Sequence, residues 1–134
     1  MRSLCGLAAL VLVGCGSREP LVGTWLLESV TATSADGTVD SALYRPSPLG
    51  YLTCTSDHHM HVIVAFADRP RLSGDWRASP PEEHAAAFAT SLSYAGRYTV
   101  SGDQVTHHVG VSSDPNRVGT SIRRTISWHD GSLC

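Results

Sequence analysis

The sequence predicts an all-β fold, an antiparallel β-barrel of about eight short strands with one α-helix inserted over about residues 80–93. Two observations predict this fold. Short stretches that alternate apolar with polar residues recur at a spacing of roughly ten residues, and turn-forming pairs such as Asp36-Gly37 separate them. A closed barrel is favoured over an open sheet because closure leaves no strand edge unpaired.

The composition is that of one folded domain. The chain has 134 residues, which is enough for a single hydrophobic core and no more. Hydrophobic residues make up 42% and charged residues 16% of it, so the chain is too apolar to be disordered. The formal net charge is -2, and no cluster of positive charge exceeds the pair Arg123 and Arg124. Nucleic acid is therefore excluded as a partner, because polyanion binding needs a basic stripe.

The first residues have the pattern of a secretory signal. Arg2 supplies a positive start, residues 4–13 form an apolar run, and small residues follow at a cleavage point. The apolar run is too short to span a bilayer core of about 30 Å, so it is not a membrane helix. Residues 1–14 are predicted to be removed as a signal peptide.

The end of this signal, Leu12-Val13-Gly14-Cys15, resembles the lipobox of bacterial lipoproteins. The resemblance implies that the Cys15 thiol is acylated with chains such as palmitate, and that residues 15–20 tether a domain over residues 21–134 to a membrane. Because Gly16 follows the cysteine, it also implies a place in the cell envelope, at the outer membrane facing the periplasm if the source is Gram-negative. The alternative is an ordinary signal peptide in which Cys15 is incidental.

Secretion would place the remaining thiols in an oxidising compartment. Cys5 leaves with the signal peptide and Cys15 is acylated, so Cys54 and Cys134 remain. These two either form an intramolecular disulfide or lie too far apart to join. The sequence leaves both possibilities open.

Seven stretches after the tether have the alternation of strands. They cover residues 22–30, 38–43, 49–55, 60–66, 96–101, 104–112 and 118–128. Tight turns are predicted at Asp57-His58, at Gly102-Asp103 and over residues 114–116. The stretches are therefore expected to pair as consecutive hairpins.

One stretch has the pattern of a helix. Ser79 is a candidate cap, Pro80 suits the first helical position, and Glu82 would complete a capping box. The helix is predicted to run to about residue 93. Phe88 and Leu92, four residues apart, would share the face that it buries.

An ordered set of motifs resembles the bacterial lipocalin-like domain family over about residues 21–133. The motifs are Leu21-Val22-Gly23-Thr24-Trp25, Gly50-Tyr51-Leu52, Asp68-Arg69-Pro70-Arg71, Tyr94-Ala95-Gly96-Arg97-Tyr98, Val105-Thr106-His107-His108-Val109 and Pro115-Asn116-Arg117-Val118-Gly119-Thr120. The resemblance implies a lipocalin-like barrel in which Trp25, after Gly23, packs at the closed end beneath an arginine. Arg123 or Arg124 would supply that guanidinium.

The sequence departs from the family pattern at two turns. The family usually has Asp-Gly where Asp57 is followed by His58, so His58 must adopt a left-handed conformation. The last turn, Asp130-Gly131, is followed by only three residues where the family continues for a full closing strand. The last strand is therefore predicted to be truncated, leaving an open barrel edge. A disulfide from Cys134, a strand from a protein partner, or truncation of the reading frame could each explain it.

The favoured function is the binding of a small apolar molecule or lipid inside the barrel, without a cofactor. The predicted lining residues are Trp25, Tyr51, Tyr94, Tyr98 and His107. His107 is expected to be the one polar contact on its strand face, because Val105, Val109 and Val111 are predicted to share that face.

Three other functions stay open. The first is an isomerase or cyclase that uses His107 or His108 as a general base, with Tyr94 or Tyr98 polarising the substrate. The second is a structural or partner-binding envelope lipoprotein whose barrel is solid. The third, disfavoured, is a metal site built from a set of five histidines. These histidines are His58, His59, His61, His107 and His108.

Overall fold

A computed structural model describes residues 2–3, 20–29, 32–33, 36–40 and 48–133, with only the backbone for residues 2–3, 32–33 and 39–40. Cys15, most of the predicted signal peptide and Cys134 lie outside the described residues, so the lipidation and disulfide predictions are not tested by it.

The described residues form eleven strands and one α-helix. The strands are β1 (Arg2–Ser3), β2 (Gly23–Leu26), β3 (Ala32–Thr33), β4 (Val39–Asp40), β5 (Leu49–Cys54), β6 (His59–Ala65), β7 (Ser91–Ser101), β8 (Gln104–Ser112), β9 (Ser121–Thr125), β10 (Trp128–His129) and β11 (Ser132–Leu133). The helix is α1 (Pro81–Ala89), and a short 3-10 helix covers Pro115–Arg117.

One large sheet dominates the fold, as the all-β prediction requires. Its strand order is β1-β2-β5-β6-β7-β8-β9, and every pair is antiparallel except β1 with β2. From β5 to β9, strands that are consecutive along the chain lie side by side in the sheet. The predicted sequence of hairpins is confirmed over this part of the chain. Two separate hairpins, β3–β4 and β10–β11, add a pair of two-stranded sheets.

The prediction of a closed barrel is wrong for the described residues. The two edges of the large sheet are β1 and β9, and no ladder of hydrogen bonds joins them. The predicted strand 118–128 is divided in two, because β9 ends at Thr125 and the chain then forms the β10–β11 hairpin. Each strand of that hairpin has two residues, which is too short to bridge the open side of the sheet.

The large sheet has one apolar and one mixed face. Cross-strand register aligns Trp25, Leu52, Val62 and Tyr94 on the same side. We call this side the inner face, because most of the buried core lies on it. The core consists of Leu21, Trp25, Cys54, Met60, Tyr94, Tyr98, Val105, Val109 and Leu133. Residues that alternate with these point to the opposite side, which we call the outer face.

A β-bulge bends the sheet between β7 and β8. Ala95 pairs with Val111 and Gly96 pairs with Val109, so Gly110 is an extra residue without a cross-strand partner. The two backbones approach closely at this point, since a Cβ atom at Gly96 would lie 1.9 Å from the carbonyl oxygen of His108. Only glycine fits at position 96 in this arrangement.

The helix is shorter than predicted and begins differently. Pro80 is its N-cap, and the Ser79 hydroxyl donates to the carbonyl oxygen of Asp75 (3.1 Å) instead of capping the helix. Glu83 rather than Glu82 bonds to backbone, accepting from the N–H of Ser73 (2.9 Å). The predicted capping box is therefore wrong. No helix of the described residues is long and apolar enough to cross a membrane.

The predicted apolar face of the helix is also wrong. Phe88 is 56% exposed, and Leu92 lies half-buried in β7. β7 begins at Ser91, because its residues pair with β6 from Ala65 to His59 and this ladder outweighs the local helical preference. The predicted strand 96–101 therefore extends over Ser91–Ser101.

Two turn predictions are confirmed by backbone angles. His58 has a φ of 63°, the left-handed conformation expected for the residue after Asp57. Asp130 and Gly131 have φ values of 52° and 85°, which suit the turn of the β10–β11 hairpin. The first predicted strand, 22–30, is shorter in the structure, where β2 ends at Leu26 and residues 27–29 are not strand. Of the second, 38–43, the described part contains β4, and residues 41–43 lie outside the described residues.

Candidate functional site

A buried polar pair lies on the inner face of the sheet. The Tyr94 hydroxyl on β7 is 3.1 Å from Nδ1 of His107 on β8, and the two rings lie 5.9 Å apart. His107 is only 2% exposed and its neighbours on β8, Val105 and Val109, are buried core. Burial, together with the nearby positive charge of Arg124 and His108, lowers the pKa of His107 to about 4. The imidazole is therefore neutral at physiological pH.

Tyr98 contributes a second buried hydroxyl to the inner face. It donates to the carbonyl oxygen of Thr55 (2.9 Å), at the end of β5, and its ring lies 5.4 Å from that of His58. This contact holds the turn between β5 and β6 against β7. Tyr98 therefore supports the site structurally, with its hydroxyl directed at the turn rather than at His107.

The structure brings four of the five predicted ligand-binding residues to the inner face. Trp25, Tyr94, Tyr98 and His107 are all buried there and belong to, or pack beside, one core. Tyr51 does not join them. It is 38% exposed on the outer face, where it pairs with Ile63 of β6. Strand parity separates it from the other four.

Trp25 has an aromatic neighbour where the family resemblance implied an arginine. Its indole Nε1 donates to the carbonyl oxygen of Leu21 (2.9 Å), and its ring lies 5.5 Å from that of Trp128 on β10. Arg123 and Arg124 are both exposed, on β9. Arg124 pairs with Val105 and so projects from the inner face, where its charge acts on His107.

A row of polar side chains crosses four strands on the outer face. Register pairs His59 with Arg97, Arg97 with His108, and His108 with Ser121. We call these four residues the outer-face polar row. His59 and His108 are among the candidate metal ligands in the sequence, whereas Arg97 and Ser121 are not among the predicted site residues. The strand alternation was available in the sequence, but the register that aligns the four residues was not.

Hydrogen bonds link the members of the row. Arg97 Nη1 donates weakly to Nε2 of His59 (3.5 Å), whose Nδ1 is 3.0 Å from Oδ2 of Asp57. The hydroxyl of Thr55 bonds to Asp57, and this bond and then the contact with His59 keep the pKa of the Asp57 carboxyl below its usual value.

His108 is held on both sides by hydroxyl groups. Its Nε2 lies 3.0 Å from Oγ1 of Thr99, and its Nδ1 lies 3.2 Å from Oγ of Ser121. A neutral imidazole has one N–H and one lone pair, so one of these hydroxyls accepts from the ring. That hydroxyl keeps its own hydrogen for another acceptor.

An open cleft of about 840 Å³ lies over the polar row. Its lining includes all four members of the row, together with backbone and side chains of the loop before β9. A smaller open groove of about 400 Å³ adjoins it and shares His59, Gly96 and Gly110 with it. The groove is more apolar, with Ala95 and the 63% exposed Val111 along it.

The five histidines do not form one cluster. His107 lies on the inner face, whereas His59, His61 and His108 alternate to the outer face, and His58 occupies a turn. Within the described ranges, no three His, Cys, Asp or Glu side chains gather closely enough to hold a metal ion. The two candidate bases of the enzyme hypothesis, His107 and His108, therefore face different sides of the sheet.

Comparison with known protein families finds one match. A family model described as a lipocalin-like domain matches residues 22–134. Comparison with curated proteins and with solved structures finds no match.

Proposed function

The chain belongs to the lipocalin-like domain family, and on that basis we propose that its domain binds a small apolar ligand while an acylated Cys15 holds it at a membrane. Lipocalin-like domains are small-ligand-binding β-folds. The observation that carries the proposal is the inner face of the sheet, an apolar surface that holds the hydrogen-bonded side-chain pair Tyr94 and His107.

The chemistry of the inner face suits such a ligand. Apolar side chains surround Tyr94 and His107, so an apolar molecule bound there would bury its surface away from water, which favours binding. Because the His107 imidazole is neutral, the pair can exchange its internal hydrogen bond for one to a ligand without burying a charge.

A neutral fluorescent probe tests the binding proposal. We expect the lipidated protein to bind N-phenyl-1-naphthylamine, and Val62→Phe on the half-buried inner face to weaken binding about tenfold, equal to about 1.4 kcal/mol. Ile63→Phe, one residue away on the outer face, is the matched control and should bind as the wild type does. Fluorescence titration measures both affinities. No binding by the wild type, or an equal loss in the two variants, would contradict the proposal.

The membrane anchor is a separate part of the proposal. Its support is the lipobox-like Leu12-Val13-Gly14-Cys15 after a positive start and an apolar run. In cells given radiolabelled palmitate, the wild type is expected to be labelled and to sediment with the envelope. Cys15→Ser should be unlabelled, with Cys5→Ser, inside the predicted signal, as the labelled control. Labelling of Cys15→Ser would place the acyl chains elsewhere.

A second candidate is a structural or partner-binding envelope protein with a solid core. The observation that favours it is that Trp25 and Tyr98 are almost fully buried, so aromatic rings already fill part of the inner face. Exposed apolar side chains on the outer face, Leu49, Tyr51 and Ile63, could then contact a protein. Native mass spectrometry separates the two, because a carrier retains a small molecule of defined mass and a solid domain does not.

A further inference from the structure

We propose that the outer-face polar row and the groove beside it bind an anionic amphiphile, with its phosphate or carboxylate against Arg97 and its apolar part beside Val111. This site goes beyond the proposed function, because it lies on the opposite face of the sheet from Tyr94 and His107.

The charge of Arg97 is available to such a ligand. Arg97 is exposed at the centre of the row, and none of the carboxylates in the described part of the chain lies within ion-pair distance of it. One of the five N–H groups of its guanidinium makes the long contact to His59, which leaves four N–H groups to donate to a ligand. A planar guanidinium with several unused donors suits the paired oxygens of a carboxylate or phosphate.

Neighbouring groups add donors around the same point. His59 and His108 flank Arg97 on adjacent strands, and Thr99 and Ser121 supply hydroxyls bonded to His108. Whichever nitrogen of His108 carries the hydrogen, one hydroxyl retains a hydrogen to donate outward. The cleft lining contains no Asp or Glu that would repel an anion.

The adjoining groove gives the ligand its apolar part. It begins at His59, Gly96 and Gly110, which also line the cleft, and continues along Ala95 and the exposed Val111, with Thr55 and His61 at its side. Gly110, the extra residue of the β-bulge, has no side chain and lies where the cleft and the groove meet. At about 400 Å³ the groove suits a short acyl or alkyl chain rather than a large ring system.

Calorimetric titration of the full lipidated protein with monohexyl phosphate tests the site. We expect monohexyl phosphate to bind at least about tenfold more tightly than inorganic phosphate or hexanol, because only monohexyl phosphate occupies both the polar row and the apolar groove. A parallel titration with hexanoate tests a carboxylate head group. Whichever of hexanoate and monohexyl phosphate binds more tightly identifies the head group that the site prefers. Arg97→Gln should weaken binding of monohexyl phosphate about tenfold or more. Arg77→Gln, on an exposed arginine outside the cleft, removes the same charge and should have no effect.

A second variant tests the apolar groove. Val111→Ser should weaken the binding of monohexyl phosphate and leave the affinity for inorganic phosphate unchanged, since Val111 lines only the groove. Equal affinities for monohexyl and inorganic phosphate would overturn the amphiphile assignment. Wild-type affinity in Arg97→Gln would overturn the site itself. Because Arg97 and Val62 lie on different faces, loss of the neutral probe in Val62→Phe and loss of monohexyl phosphate in Arg97→Gln report separate sites.

Discussion

Replacing Gly96 with alanine is expected to destabilise the protein by about 3 kcal/mol or more, at the upper end of the cost of overpacking. The added methyl would lie 1.9 Å from the carbonyl oxygen of His108 and close to the amide nitrogen of Gly110. Both obstacles are backbone, so no side-chain rotation relieves the clash. The β7–β8 ladder must move apart at the bulge.

Gly110→Ala is the matched control. A Cβ atom there would meet only the carbonyl oxygen of Ala95, at an ordinary contact distance of 3.8 Å. We expect its free energy of unfolding in urea to remain within about 1 kcal/mol of the wild type. If Gly96→Ala unfolded at the same urea concentration as Gly110→Ala, this would contradict the inference that the β7 and β8 backbones lie too close at Gly96 for a Cβ atom.

The second large effect is a loss of stability as the pH falls from about 6.5 to about 4. In the folded protein the pKa of His107 is about 4, below the 6.5 of an unperturbed histidine. The unfolded chain therefore takes up a proton in this range while the folded protein does not. The stability that neutral His107 contributes is fully present above about pH 6.5 and is lost as the pH falls. The loss in the free energy of unfolding reaches about 3 kcal/mol near pH 4.

His107→Gln should remove this slope, because glutamine keeps a polar group near Tyr94 but does not titrate. His108→Gln, the adjacent exposed histidine, should retain it. Urea unfolding at a series of pH values measures both. The carboxyls whose pKa is lowered in the folded state, such as Asp57, lose their contribution only below about pH 4, so they do not produce the same window. An unchanged slope in His107→Gln would assign the effect to another group.

Much of the inner face could be predicted from strand alternation. Val105, His107, Val109 and Val111 were expected on one face of their strand, and the first three are buried together. The prediction is wrong for Val111, because the bulge at Gly110 turns it to the outer face, where it is 63% exposed. Tyr51 could not be placed in the same way. Its side depends on how β5 aligns with β2 and β6, and a shift of one residue in that alignment would reverse its face.

The helix shows where local patterns mislead. Ser79, Pro80 and Glu82 form a good helix-start pattern, and the chain does become helical there. The structure nevertheless uses Ser79 and the neighbouring glutamate, Glu83, to hold the preceding loop. The end of the helix depends on β6, which pairs with residues from Ser91 onward and so extends β7. A strand partner distant in sequence cannot be recognised from local propensity.

The sequence by itself determined the all-β class and the lipocalin-like family. These properties depend on period, motif order and turn chemistry, which are local. Only the tertiary structure decided that the sheet stays open and that His59, Arg97, His108 and Ser121 form one row. Both depend on register between strands, which is set by packing and backbone hydrogen bonds across the whole sheet.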